Sequence, residues 1–210
     1  YLKTLESCLF LFSNQFEVTE DIDQKISNVV NSINSIIVSV SFKEYKIPSH
    51  ITRRLTCSLK TILIKSSNSI SVLYPSIQLL ENLLEVENDQ IYEILLEGNF
   101  IFFKFEEMIN KKYLQVNVKK QILLILGNLL SSNSRVRDAF FEMNSFLELL
   151  TNLIYQHNSY RSEIIWIFSS GTLLTDNKLF NFLSRTNFVE FIFLVLHSEN
   201  NLEEEIIENI

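Results

Sequence analysis

The sequence predicts an all-α fold made of stacked, similar helical repeats, and three observations predict it. The first is self-similarity. Glu97-Gly98-Asn99-Phe100, Glu142-Met143-Asn144-Ser145-Phe146 and Arg185-Thr186-Asn187-Phe188 each lead into an apolar run, with their asparagines 45 and 43 residues apart. The second is a parallel marker inside the longer helix that follows each run: Asn82, Asn128 and Ser170, spaced 46 and 42 residues. Two markers sharing one period point to a repeat architecture. The third is the scarcity of Gly and Pro, three and two respectively, which disfavours a sheet-rich fold with its many tight turns.

Taken along the chain, Phe10-Leu11-Phe12-Ser13-Asn14 reads as the end of a repeat's last helix. From Asn14 to Asn82 is 68 residues, too long for one repeat and short of two, so an irregular repeat lies between them. Residues 89–97, 100–110 and 116–130 then form a short, a middle and a long helix, and 135–143, 146–156 and 160–174 form the next such triplet. In the long helices Ile122, Leu123, Leu126, Leu129 and Leu130, then Ile164, Ile165 and Phe168, recur at three- and four-residue steps, giving a broad buried face. Asn and Ser clusters at 88–89, 131–134 and 176–177 supply the side-chain acceptors that cap helix starts. The run 188–196 belongs to a last repeat whose third helix would carry its marker beyond residue 210, with residues 203–210 as the exposed beginning of that cut-off part. No repeat hides its own apolar faces, so neighbours stack. The chain therefore reads as one domain over residues 1–210, with its first and last repeats incomplete.

Charge and composition narrow the function. A net charge of −7 argues against nucleic acid, since phosphate binding needs clustered cations, and the pairs Arg53-Arg54, Lys111-Lys112 and Lys119-Lys120 read as solvated faces. Cys8 and Cys57 lack metal-type spacing and lie in apolar helical patterns, so both are expected as buried free thiols. The most apolar run, 188–196, is interrupted by Glu190 and is too short to span a bilayer, so no membrane role is expected. His50, His157 and His197 are scattered, and no metal-type pair or Gly-rich phosphate loop occurs, so neither an enzyme, a metal site nor a cofactor is expected. His157 and His197 read as turn or cap residues, the acids at 106–107 and 203–205 as solvated helix faces, and Arg137-Asp138 as a structural pair near a helix start.

Three-helix repeats of this length are similar to armadillo repeats. Within that class, Leu124-Ile125-Leu126-Gly127-Asn128 followed by Ser134-Arg135-Val136-Arg137-Asp138 resembles importin-α, the nuclear-import adaptor. So do Tyr160-Arg161 leading to Trp166-Ile167-Phe168-Ser169-Ser170, then Asn177-Lys178, and the run Phe193-Leu194-Val195-Leu196-His197. The resemblance covers residues 78–200 and implies a right-handed superhelical solenoid of about four to five armadillo repeats. It also implies a groove in which a Trp and, one turn later, an Asn stand on one helix face. Stacked indoles there hold the stems of Lys or Arg, and the Asn amide holds the ligand backbone extended.

Carried over, the groove positions are Gln78 and Asn82, Leu124 and Asn128, and Trp166 and Ser170, each pair being a Trp position and its Asn position. Phe10 and Asn14 keep an aromatic and the Asn, and Ser132 stands where the family has an acidic residue. The implied function is an adaptor that binds basic nuclear-localisation peptides, works with an importin-β-type carrier, and moves between cytoplasm and nucleus. The alternative is an armadillo scaffold that assembles proteins without binding basic signals.

Overall fold

A computed structural model describes residues 2–14, 20–41, 47–65, 69–85, 89–186 and 189–190. Every element among them is helical. The contacts divide the chain into two compact units, residues 1–114 and 115–210. The sequence reading treats the chain as one domain; each unit is described in turn.

The N-terminal unit holds α1 (Leu2–Ser13), α2 (Glu20–Ser41), α3 (Ser49–Lys65), α4 (Ile70–Leu84), α5 (Asp89–Leu96) and α6 (Phe100–Asn110). Helices two apart in sequence lie side by side: α1 packs on α3 and α3 on α5, while α2 packs on α4. Contacts of α1 with α2 and of α3 with α4 join these two rows. The cause is visible in the side chains. Ile26, Val30, Ile33 and Ile37 form one fully apolar stripe along α2, and Val72, Leu73, Ile77, Leu80 and Leu83 one along α4. The helices α2 and α3 occupy the stretch that the sequence reading leaves as an irregular repeat. Between α5 and α6 a 3-10 turn, Glu97–Asn99, places Gly98 at φ 63° and Asn99 at φ 55°. Gly and Asn are the residues that enter the left-handed region most readily.

The C-terminal unit holds α7 (Val116–Ser132), α8 (Ser134–Phe140), α9 (Asn144–Gln156), α10 (Arg161–Ser169) and α11 (Asp176–Thr186). Here α7 packs on α10, and α9 contacts both α10 and α11. The predicted buried positions Ile122, Leu123, Leu126, Leu129, Leu130, Ile164, Ile165 and Phe168 are all in the core. Asn133 caps α8: its Oδ1 accepts the backbone N–H groups of Arg135 at 3.0 Å and Val136 at 3.1 Å. Arg137 and Arg161 then use one device twice. Each guanidinium reaches back seven residues to a carbonyl at the end of the preceding long helix, Leu130 O at 3.0 Å and Ile154 O at 3.4 Å. Those carbonyls are among the last four of a helix and lack an intrahelical partner. Asp138 pairs with Lys178 at 2.9 Å, and the backbone N–H of His157 closes α9 by donating to Leu153 O.

Two expectations change. The helix expected over 160–174 is α-helical only through Ser169 and narrows to a 3-10 turn over Ser170–Leu173. Gly171 lies against the rings of Phe182 and Phe141, where an added Cβ would stand 2.7 Å and 3.1 Å from them. Cys57 is exposed and Cys8 half-buried, because α3 buries Thr52, Leu55, Thr56, Leu59, Ile62 and Leu63 and turns Cys57 outward. The expected helix at 193–197, the acidic stretch at 203–210, His197 and Asn187 lie outside the described residues.

Candidate functional site

In the C-terminal unit the sequence-predicted residues come from two helices in contact. Burial of Val118, Ile122, Leu123, Ile125, Leu126, Leu129 and Leu130 leaves Leu124 and Asn128 on the outer face of α7. They are one turn apart and both exposed, Leu124 at 44%. On α10, Ile164, Ile165, Ile167 and Phe168 are buried and Trp166 is half-buried. The Cδ1–Nε1 edge of its indole meets α7 at Gly127: a Cβ built there would be 2.0 Å from Cδ1 and 2.5 Å from Nε1. The glycine therefore creates the space the ring occupies. The indole N–H is buried and has no hydrogen-bond acceptor. Trp166 thus packs α10 against α7 as well as facing outward in part.

Ser170 is withdrawn from the surface. It is 3% exposed, and its hydroxyl donates to Ile167 O at 2.6 Å. The 3-10 winding that begins at this residue is what turns it inward. Ser132 donates its hydroxyl to Asn128 O at 2.8 Å, which ties it to its own helix. Sequence reasoning passed over Glu163 and read Lys120 as part of a solvated face; their ion pair at 3.5 Å joins α10 to α7 beside Trp166. The second carboxylate oxygen, Glu163 Oε2, is buried without a hydrogen-bond partner. Burial, and then the nearby Glu163 charge, push the Tyr160 phenol above its ordinary value. The signal that could have found this arrangement is Gly127 itself, since a glycine inside an apolar helical run marks a close approach.

The two candidates in the N-terminal unit are bonded within it. Asn82 donates from Nδ2 to Oδ1 of Asn34 at 3.2 Å, and Asn34 donates to the carbonyl of Pro75 at 3.1 Å. Asn34 is only 9% exposed, so Asn82 completes a buried polar link between α2 and α4. Gln78 donates to the hydroxyl of Tyr74, one turn earlier on α4, at 3.2 Å. Phe10 is partly exposed and lies under the Arg54 guanidinium, while Asn14 donates to Phe10 O at 2.8 Å. On α6, Glu107 bonds both Lys104 and Lys111, at 2.8 Å and 2.7 Å. Burial alone would raise the Glu107 carboxyl, but those two ammonium groups outweigh it and hold it below the ordinary value. Among the described residues no group of three or more His, Cys, Asp or Glu is placed to hold a metal ion. None of the described helices is long and apolar enough to cross a membrane.

No family model matches the sequence, and no curated protein matches it. Among solved structures, the chain is similar to a crystal structure described as an engineered protein from a structural genomics consortium. The match has a TM-score of 0.59 at 9% identity and covers 98% of this chain and 93% of that one. At that identity the likeness concerns the fold alone.

Proposed function

We propose that the chain is a helical-repeat scaffold, an armadillo-like solenoid, that assembles proteins through its outward helix faces and does not bind basic localisation signals. The observation that carries this reading is how the candidate groove residues are used. Asn82 is bonded to buried Asn34, Ser170 is buried on its own helix, and the Trp166 indole is seated at Gly127. A groove that grips a peptide backbone needs amides free to donate and accept. Of the three Asn-position residues, only Asn128 is exposed with no bond from its amide to a described residue. In the C-terminal unit α7 packs on α10, the third helices of successive predicted triplets, which supports a stack of three-helix repeats there, whereas the packed helices of the N-terminal unit are two apart.

One observation favours the import-adaptor reading. Leu124, Asn128 and Trp166 come from two packed helices, and a basic peptide laid there would meet the Glu163 carboxylate. Such an adaptor would also engage an importin-β-type carrier and shuttle between cytoplasm and nucleus. Trp166 is the only tryptophan, so its emission reports on this place alone. Titration with a Lys-rich peptide up to about 100 μM is expected to leave the emission unchanged, that being a generous range for a specific peptide site. A saturable change that weakens with salt and is lost in Asn128→Ala would overturn the scaffold reading in favour of the adaptor.

A further inference from the structure

We propose that the outward face of α3, together with that of α1 beside it, docks an acidic segment of a partner protein that also carries apolar side chains. This surface belongs to the row α1–α3–α5 of the N-terminal unit and does not depend on the groove reading above. In a chain of net charge −7, α3 contains Arg53, Arg54, Lys60 and Lys65 and no acidic residue. From His50 onward its exposed positions, His50, Arg53, Arg54, Cys57, Ile64 and Lys65, follow helical spacing and form one stripe.

The cations on this stripe differ in what they already do. Lys60 is turned aside: it bonds Glu97 at 2.8 Å and Ile94 O at 3.2 Å and stands 5.1 Å from the centre of the Phe100 ring. Arg54 is held at its base. Its Nε is 2.9 Å from Oε1 of Glu6, a carboxylate that is 1% exposed, and its guanidinium carbon stands 5.5 Å over the Phe10 ring. Neither oxygen of this buried carboxylate has a hydrogen-bond partner, so its charge is met by the ion pair with Arg54. Nearly half of the Arg54 side chain remains exposed, so a guanidinium held by Glu6 and Phe10 still reaches solvent. A fork ordered in advance loses little freedom when it takes a carboxylate. Arg53, adjacent and exposed, has no ion-pair partner among the described residues and supplies the uncompensated charge.

Apolar side chains flank these cations. Phe10 is 45% exposed, Leu11 65% and Ile64 54%. A polyanion such as a nucleic acid would use the charge and leave those groups in water. An acidic segment with apolar side chains would use both, and the net negative charge of the whole chain opposes a long polyanion more than a short peptide.

The test is fluorescence anisotropy of a labelled helical peptide of Glu, Leu and Ala, titrated with the 210-residue chain. Saturable binding is expected. Arg53→Glu should weaken it about tenfold or more without changing the circular dichroism, since the exposed side chain supports no packing. Raised salt should weaken it too, and the same peptide with Lys for Glu should not bind. Arg54→Lys, which keeps the charge but loses the planar fork, should weaken binding less than Arg53→Glu. Absence of saturable binding up to about 1 mM peptide would overturn the proposal, that being the weakest end of specific association. So would undiminished binding by Arg53→Glu, or displacement of the peptide by a single-stranded oligonucleotide at equal concentration.

Discussion

The contact between Gly127 and Trp166 can be tested by adding one methyl group. In an exposed helix interior, Gly→Ala stabilises by about 1 kcal/mol, because alanine restricts the unfolded chain and glycine does not. At Gly127 the added Cβ would stand 2.0 Å from Cδ1, 2.5 Å from Nε1 and 3.2 Å from Cγ of Trp166, whereas ordinary contact begins near 3.4 Å. The ring must withdraw by about 1.4 Å, the difference between 3.4 and 2.0, and a fused indole cannot bend out of the way. Forcing extra volume into a packed contact costs about 1–3 kcal/mol, which meets or exceeds the propensity gain. Gly127→Ala should therefore destabilise the chain by about 1 kcal/mol, and the single tryptophan should emit further to the red as its ring is pushed toward water. The sign should reverse in a Trp166→Ala background, where the obstruction is gone and the gain of about 1 kcal/mol stands alone. Urea unfolding of the four proteins in this cycle, followed by circular dichroism, measures the coupling as about 2 kcal/mol. If Gly127→Ala stabilises both backgrounds equally, the indole does not rest on Gly127 and the account of this helix pair is wrong.

Two further predictions concern the N-terminal unit. Asn34→Ala removes both bonds of the link, the one to the Pro75 carbonyl and the one from the Asn82 amide, so it should lower stability by about 1–3 kcal/mol, while Asn82→Ala, which removes only the outer bond, should cost about 1 kcal/mol. Equal losses from the two variants in urea unfolding would mean that the link is not built in that order. The folded-state value of Glu107 lies below its ordinary 4.5, so its ionised form is favoured by folding. That contribution is fully present above pH 4.5 and is lost as pH falls through the depressed value. The stability gap between the native chain and Glu107→Gln should therefore be widest near neutrality and close in acid, and a gap that widens as pH falls would contradict the two-lysine cradle. Because the Glu107 side chain is 46% exposed, added salt should narrow the neutral-pH gap.

The long helices were legible because their apolar residues repeat at the helix period. Ile122, Leu123, Leu126, Leu129 and Leu130, and then Ile164, Ile165 and Phe168, are buried where the spacing places them. Less legible was anything that depends on which helix comes to lie beside which. Asn82 stands out in the sequence as a marker, but its partner Asn34 is 48 residues away, in a stretch with no repeat signal. Spacing alone aligns Ser170 with Asn128, yet the chain tightens to a 3-10 turn at Ser170, and the correspondence of side-chain direction is lost there. Cys57 lies in an apolar neighbourhood of sequence, but the face that α3 buries is fixed by α1, α4 and α5, and the cysteine falls on the other side. In each case the local pattern gives the helix, and the neighbouring helix decides which way a residue points.

The same distinction separates the functional readings. A polar side chain at a repeat marker can hold two helices together or hold a ligand, and its hydrogen-bond capacity cannot serve both fully. The amide of Asn82 is committed to Asn34, whereas that of Asn128 stands on an exposed position with Leu124 one turn away. On α3 the division runs along one side chain: Arg54 Nε meets buried Glu6, and nearly half of the side chain is exposed. Lysine-rich and glutamate-rich peptides therefore put opposite questions to the two units. Binding of the acidic peptide alone, removed by Arg53→Glu and untouched by Asn128→Ala, would assign recognition to the α1–α3 surface. Binding of the basic peptide alone, with the reverse response to those substitutions, would assign it to α7 and α10 and refute the scaffold reading at the residues on which it rests.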